Sequence, residues 1–318
     1  MSDASNAPGR ARRSSMQVLA VAAASLLALQ GAPAASSPAA PALSVQVYRG
    51  GFATVNSFIF SNGRSLVVMD VQRTASEARK LAAMIRSKHL PLADILISHG
   101  HTDHFTGMAV LHAEFPAARI VVCSEAIKRD IENYAIYMDR GGATGAEPAL
   151  DPALRPKAPD NPGGFDYEHS IHVLRGNELT LPGGGTLRLT CDYPPTEAPH
   201  MTTVYSPDLG LFVADLCYNG VHAWMGDDIS DERIAAWRGV LVKLSAKYAA
   251  ADPTIYPGHG AAGDMRLLDR MIRYIDDFVR TTSTARSRRE AQQRMETLYP
   301  DYQEADFFLR YSIENHVR

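Results

Sequence analysis

One short segment restricts the folds open to this chain more than any other feature of its 318 residues. Ile97 to Phe105 reads Ile-Ser-His-Gly-His-Thr-Asp-His-Phe, with three histidines and one aspartate directly after a predicted buried strand. A rigid strand end can fix side chains with the accuracy that a metal site needs, and imidazole and carboxylate groups are common zinc ligands. The segment predicts that His99 and His101 bind one metal, while Asp103 and His104 face a second position beside it.

Strand and helix patterns divide the chain into two strand-rich halves. The first half has predicted strands at Ser44 to Tyr48, Thr54 to Phe60, Ser65 to Asp70, Ala93 to Ser98 and Arg119 to Cys123, with predicted helices at Thr74 to Lys88 and 125–139. The second half has predicted strands at Ile171 to Leu174, Glu178 to Leu181, Thr186 to Cys191, Thr202 to Tyr205, Leu211 to Ala214 and Thr254 to Tyr256, and a predicted helix at Asp231 to Tyr248. Two such halves with covering helices predict an α/β (α+β) fold of four layers, αββα.

Two further segments of the predicted domain, residues 44–318, have distinct compositions. Residues 140–165 are rich in Gly, Pro and Asp and too long for a simple connection, which predicts an active-site flap. Residues 263–318 form a predicted helical C-terminal extension with amphipathic stretches. An apolar helix face can pack within the chain or on a second chain, so a homodimer stays open.

The N-terminus has the layout of an export signal. Arg10, Arg12 and Arg13 precede an apolar run from Val18 to Leu29, and Ala32-Pro33-Ala34 offers small residues for a signal peptidase. We therefore expect a signal peptide at residues 1–34, a linker at 35–43 and a periplasmic or secreted protein. The apolar run is shorter than the ~20 residues that span a membrane, so no stable anchor is expected. The arginine pair leaves twin-arginine export open.

Charge and cysteine content exclude several classes of protein. The formal charge is −3 and no long basic run occurs, so nucleic acid is not an expected partner. Three cysteines exclude a disulfide scaffold. Cys123, Cys191 and Cys217 lie in apolar, strand-like contexts, which favours buried free thiols and leaves one disulfide as the alternative.

His99-x-His101-x-Asp103-His104 resembles the signature of the metallo-β-lactamase-fold hydrolase superfamily. Four further matches follow the expected order, at Asp70, His200, Asp215 and Pro257-Gly258-His259-Gly260. The resemblance covers roughly residues 44–262 and is strongest to lactonases and hydroxyacylglutathione hydrolases, without being close to either. It implies a sandwich of the metallo-β-lactamase type, followed here by the helical extension.

The same resemblance implies a ligand set for two divalent ions. It assigns His99, His101 and His200 to one metal, assigns Asp103, His104 and His259 to the other, and makes Asp215 the bridge. Ligands of N and O without thiolate favour two Zn²⁺, with Fe or Mn as alternatives. Asp70 is implied as a carboxylate that steadies one of the ligands.

The resemblance also implies a reaction on a small-molecule substrate. Two metals lower the pKa of a shared water, so a zinc-bound hydroxide can attack an ester, lactone or related acyl bond, aligned by Asp103. Tyr218, three residues after Asp215, resembles a tyrosine of N-acyl homoserine lactonases that donates to the substrate carbonyl or to the leaving oxygen. His222 and Trp224 follow closely and are candidates for lining the pocket.

Departures from the family pattern keep other functions open. His200 stands in Ala198-Pro199-His200-Met201, whereas lactonases and hydroxyacylglutathione hydrolases usually have Gly-His-Thr-x-Gly at this place. Amide hydrolysis of the β-lactamase type is a second candidate reaction, although a bridging Asp215 argues against it, and Cys217 would be a thiolate ligand only if the strand register slipped. A mononuclear-iron sulfur dioxygenase and a non-catalytic binding protein also stay open.

Overall fold

The computed structural model describes residues 42–142, 150–226 and 229–317. The predicted signal peptide and all but the last two residues of the predicted linker lie outside these residues. Within the described part of the chain, no helix combines the length and the apolar character needed to cross a membrane.

The helices and strands occur close to where the sequence predicts them. The first sheet and its helices comprise β1 (Ser44–Arg49), β2 (Asn56–Ser61), β3 (Leu66–Met69), α1 (Ala75–Arg86), β4 (Leu92–Leu96), α2 (Thr102–Phe105), α3 (Met108–Glu114), β5 (Arg119–Val122), α4 (Glu125–Asp139), a 3₁₀ turn (Pro152–Leu154), α5 (Tyr167–Ser170) and β6 (Ile171–Val173). The second sheet and the C-terminal region comprise β7 (Glu178–Thr180), β8 (Thr186–Thr190), β9 (Thr203–Ser206), β10 (Gly210–Asn219), α6 (Asp231–Tyr248), β11 (Ile255–Gly260), α7 (Arg266–Thr284), α8 (Arg288–Leu298), a π-helical turn (Ala305–Leu309) and α9 (Arg310–His316).

Side-chain caps fix the start of the longer helices. The hydroxyl of Thr74 accepts a hydrogen bond from the backbone N–H of Glu77 at the start of α1, and Ser124 and Ser230 cap α4 and α6 in the same way. Such caps satisfy backbone donors that the first helical turn leaves unpaired. The predicted helix at Asp231 to Tyr248 is present with these bounds, and Ser230 accounts for its start.

Two sheets pack face to face in the described part of the chain. Their strand orders are β1-β2-β3-β4-β5-β6 and β11-β10-β9-β8-β7. The Phe58 and Phe60 rings of β2 lie 4.9 and 4.8 Å from the Phe212 ring of β10, measured between centroids, so aromatic side chains fill the interface. Helix α4 packs on β5 and β6, and α7 packs on β10. The predicted two-sheet α/β architecture with a helical C-terminal region is confirmed.

One strand belongs to the first sheet, whereas the sequence pattern places it in the second. The strand at Ile171 to Leu174 was expected to open the second half, but β6 pairs in parallel with β5 through Ile120 and Ile171. Sequence periodicity shows which residues form a strand and not which neighbour it pairs with. The second sheet therefore begins at β7.

The predicted flap at 140–165 is described only in part, because residues 143–149 lie outside the described ranges. The portion from Asp151 onward packs on the first sheet's helices: the carboxylate of Asp151 accepts from the backbone N–H of Ala75, and the Phe165 ring lies 5.9 Å from that of His112. Gly141 and Gly142 line the cavity described below. The described residues after 150 therefore pack against the body of the domain.

A disulfide connects the two sheets. Cys123, directly after β5, is bonded to Cys191, directly after β8, while Cys217 is a buried free thiol. The expectation of three free thiols was therefore wrong for two of them. The apolar context agrees with the burial of Cys123 and the partial burial of Cys191, but it could not show that the fold brings their Cα atoms to 6.2 Å.

Loss of this disulfide is expected to destabilise the protein. The bond closes a loop of 68 residues, and the double variant Cys123→Ala/Cys191→Ala should lower the free energy of unfolding by about 4 kcal/mol, because the unfolded chain gains entropy. Urea unfolding with and without a reductant measures this loss. The reductant should shift the wild type and leave the double variant unchanged; an equal shift in both proteins would contradict the prediction.

Candidate metal centre

The site lies where strands of both sheets end or bend. Asp70 follows β3 and His99 follows β4, while Asp215 and His259 lie within β10 and β11. The pairing of β10 with β11 is irregular around Ala214, whose φ is +44°, and Asp70 has a φ of +61°. Residues other than glycine rarely adopt these angles, and such strain concentrates at functional sites. The irregular backbone thus turns the acidic side chains toward a common point.

Two groups of side chains meet at this point. The ligand atoms within each group lie within 4.8 Å of one another. The first group consists of His99, His101, Glu197 and Asp215, and the second of Asp103, His104 and His259. Each group has the size and the donor types of a site for a divalent metal ion.

Asp215 lies between the two groups. Its Oδ1 atom is 3.2 Å from Nε2 of His104, and its Oδ2 atom is 3.3 Å from Nε2 of His259. The same Oδ2 is 3.8 Å from Nε2 of His99, in the other group. Gly258 makes this position available, because a Cβ there would lie 1.8 Å from Oδ1 of Asp215. One carboxylate is therefore within reach of histidines from both groups.

Unsatisfied buried atoms show that these residues fit a metal ion. Buried polar atoms normally have a hydrogen-bond partner. Here the atoms without one in the described chain include Nε2 of His99, His104 and His259, Oε2 of Glu197 and Oδ1 of Asp215. All five belong to the two groups, and a set of imidazole nitrogens and carboxylate oxygens suits Zn²⁺.

The other nitrogen of three of these rings is held by a hydrogen bond. Nδ1 of His104 donates to Oδ2 of Asp70 over 2.8 Å, and Nδ1 of His259 donates to the carbonyl of Ala53 over 2.6 Å. Nδ1 of His99 pairs with the hydroxyl of Ser98 at 2.9 Å. A donor proton on Nδ1 leaves the Nε2 lone pair of a neutral imidazole for a metal. Asp70 therefore contacts His104 through Nδ1 and leaves Nε2 for the candidate metal.

Glu197 is the member of the site that sequence reasoning missed. Its side chain is fully buried, and Oε1 lies 2.9 Å from Nδ1 of His101. The guanidinium of Arg233 donates to the carbonyls of Thr196 and Glu197, which fixes this loop between β8 and β9. The only available signal was an acidic residue three positions before His200 in the same loop. A loop has no periodicity that would show which side chain points inward.

His200 is not part of either group, contrary to the ligand set implied by the resemblance. Its side chain is 41% exposed, and Nδ1 lies 2.8 Å from Oδ2 of Asp130 on α4. The chain after Glu197 thus directs the histidine toward α4 and leaves the inward position to the carboxylate. The sequence predicted a histidine at this corner of the site, and the structure has Glu197 there.

Burial and charge shift the pKa values of the site in opposite directions. Burial lowers the pKa of His101, but attraction and hydrogen bonding from Glu197 outweigh it and raise that pKa to about 9. Burial also opposes ionisation of Asp215, yet the neighbouring His104 and His259 hold its pKa well below the usual range. Burial and the positive charge of His104 keep the pKa of His99 low. Without a metal, protonated histidines therefore balance the negative charge of the buried carboxylates.

Tyr218 contacts the ligands themselves. Its hydroxyl donates to Oδ2 of Asp215 over 2.8 Å and lies 3.3 Å from Oε1 of Glu197, and its ring stacks on His259. Burial and these two anions raise the pKa of Tyr218 well above its usual range, so it remains a hydrogen-bond donor. Because its single proton is used on Asp215, this geometry favours a positioning role over the predicted donation to substrate.

The two remaining predicted pocket residues lie in different places. Trp224 lines the cavity next to the metal groups, with its ring 5.6 Å from that of Phe308. His222 is buried away from that cavity, where Nδ1 pairs with the Tyr274 hydroxyl at 3.0 Å and burial lowers the pKa of His222 to about 4. The prediction that His222 lines the pocket was wrong, because the chain after β10 turns it toward α7.

Asp103 faces the open side of the site. It lines the cavity and is 7% exposed, and its Oδ2 atom lies 3.4 Å from Nε2 of His259 and 3.9 Å from Nε2 of His104. A substrate entering the cavity would meet this carboxylate together with His101 and Tyr218. The arrangement provides a largely buried candidate cation site that borders the cavity.

A family model described as the metallo-beta-lactamase superfamily matches residues 50–274. This match covers more than half of the chain, and the protein therefore belongs to the metallo-beta-lactamase superfamily. The predicted family is confirmed, and with it a hydrolase of this superfamily whose residues can bind divalent metal.

Solved structures show the same fold. A metallo-beta-lactamase from Pontibacter korlensis is 16% identical, with 74% of this chain and 95% of that chain covered at a TM-score of 0.52. VMB-1, in a crystal structure at pH 5.5, is 16% identical, with 74% and 93% covered at a TM-score of 0.50. At these identities the likeness concerns the fold alone. No curated protein matches the chain.

Proposed function

We propose that this protein is an exported hydrolase that uses two zinc ions to cleave an ester, lactone or related acyl bond of a small molecule. The observation that carries the proposal is Asp215, whose two carboxylate oxygens lie within 3.8 Å of histidines from both ligand groups. A carboxylate shared in this way is the arrangement that holds two divalent ions side by side.

Asp103 and Tyr218 have different roles in the proposed reaction. Bound zinc would supply a water of lowered pKa and polarise the substrate carbonyl. Asp103, on the cavity side, accepts a hydrogen bond from the attacking water. It then takes the water's proton and passes it to the leaving group. Tyr218 holds Asp215 in position. Substrate binding excludes further water from this buried pocket, which strengthens these electrostatic contacts.

Metal analysis combined with a substrate panel tests the proposal. The mature protein, reconstituted with Zn²⁺, should contain about two zinc ions per chain and hydrolyse lactones or aryl esters faster than β-lactams, thioesters or phosphoesters. A chelator should abolish the activity, and Zn²⁺ should restore it. One iron per chain with sulfur oxidation, or hydrolysis of β-lactams alone, would contradict the proposal.

Export is supported by chemistry as well as by the N-terminal pattern. Disulfides such as Cys123–Cys191 form and persist in oxidising compartments, which include the periplasm and the extracellular space. Mass spectrometry of the periplasmic or secreted fraction should find a mature N-terminus directly after Ala34. Recovery of the full-length chain from the cytoplasm alone would contradict export without affecting the proposed chemistry.

Tyr218→Phe is expected to weaken zinc binding about 10-fold or more and to lower kcat/KM, because partners that orient metal ligands have effects of this size. Competition with a zinc chelator measures the affinity. Tyr193→Phe is the matched control, since it removes a tyrosine hydroxyl that pairs with Thr203 outside the metal groups. Unchanged zinc affinity with a loss confined to kcat would instead place Tyr218 in direct contact with substrate.

A further inference from the structure

The cavity beside the metal groups has two apolar walls. It has a volume of about 250 Å³, which suits a ligand the size of one aromatic ring with a short chain. Tyr134, Tyr137 and Met138 of α4 form one wall. Phe307 and Phe308 of the π-helical turn belong to the other. The apolar part of a bound ligand would lose its contact with water between these walls.

Phe307 and Phe308 of the second wall belong to the C-terminal extension and lie beyond the family match at residues 50–274. The Phe308 ring lies 5.5 Å from His259, and the Phe307 ring lies 5.9 Å from both Trp224 and Phe52. Aromatic contacts thus join the extension to the edge of the metal site. The C-terminal extension therefore forms part of the cavity wall.

Arg73 is the only lysine or arginine that lines the cavity among the described residues. Its guanidinium donates to the hydroxyl of Thr102, between two candidate ligands in the sequence, and lies 4.6 Å from the centre of the Phe52 ring. No carboxylate in the described part of the chain pairs with it. The Phe52 ring and the Thr102 hydroxyl restrict the rotation of the side chain, so a cation is held at the cavity wall next to the metal groups.

We infer that the substrate is an amphipathic monoanion, an ester with an aryl-sized apolar group on one side of the scissile bond and a carboxylate on the other, and that Arg73 binds this carboxylate. The inference rests on the proposed function and specifies its substrate class. A guanidinium binds a carboxylate through charge-assisted, often bidentate hydrogen bonds. Neutral esters of the same size would fill the apolar walls but leave Arg73 without its partner.

Two esters that differ mainly in charge test this inference. We expect the zinc-loaded enzyme to prefer 4-nitrophenyl hydrogen glutarate over 4-nitrophenyl hexanoate in kcat/KM, after correction for spontaneous hydrolysis. Arg73→Met should lower that preference about 10-fold or more, the loss expected for one charge-assisted interaction. Arg73→Lys should keep part of it. Arg79→Met, which removes an exposed positive charge on α1, is the matched control and should retain the wild-type preference.

The outcomes separate this inference from the proposed function. Hydrolysis of both esters with equal efficiency, or a preference that Arg73→Met retains, overturns the role of Arg73 and leaves the hydrolase standing. If neither ester is hydrolysed, calorimetric binding of 4-phenylbutyrate and 4-phenylbutanamide decides. Tighter binding of the acid by the wild type, lost in Arg73→Met, supports the inference; equal affinities overturn it.

Discussion

Asp215→Ala is expected to lower the hydrolytic rate by at least about 10²-fold and to remove most of the bound zinc. The carboxylate lies within reach of both ligand groups, through His104 and His259 on one side and His99 on the other. Its removal also withdraws one of the negative charges that would compensate the two proposed divalent ions in this buried site. Both metals should therefore bind more weakly, and the loss should exceed that of any single histidine.

Metal content and rate must be measured on the same folded samples. Asp215→Asn keeps the size of the side chain and one oxygen acceptor, so it separates loss of charge from loss of packing. Asp301→Ala, at an exposed position, is the control for general effects of removing an aspartate. An Asp215→Ala protein that retains both its zinc and a near-wild-type rate would remove Asp215 from the centre of the site.

The sequence was sufficient for the fold and for most of the residues of the candidate metal centre, because local patterns carry that information. Strands showed as apolar runs, helices as 3.6-residue periodicity, and the dense histidine segment marked the end of β4. Each of these signals lies within about 15 residues of chain. The pairing of β6 with β5 has no such local signal, and it was assigned to the wrong sheet.

The remaining parts of the site depend on contacts between distant segments. Phe308 approaches His259 across 49 residues of chain, and Cys123 is joined to Cys191 across 68. Three cysteines allow three single pairings, and neither spacing nor hydropathy selects among them. Glu197 was missed for a related reason: only the path of its loop, fixed by Arg233 of α6, decides that it points inward.

Glu197 and His200 offer the sharpest test of the site. The family resemblance assigns His200 to the first ligand group, whereas the structure places Glu197 there. Glu197→Gln should lower the zinc content from about two to about one ion per chain and reduce the rate by about 10²-fold, since the amide keeps the shape but loses the charge. His200→Ala should retain both ions, because its partly exposed pair with Asp130 contributes little to stability.

The two variants control for each other. Both change the loop between β8 and β9, so a general disturbance of that loop would affect their metal content alike. Glu197→Asp adds a graded step, since it keeps the charge but shortens the reach toward His99 and His101, and it should bind the ion of the first group more weakly than wild type. The reverse pattern, with zinc lost in His200→Ala and retained in Glu197→Gln, would restore the histidine as ligand. It would also show that metal binding turns this loop so that His200 faces the site.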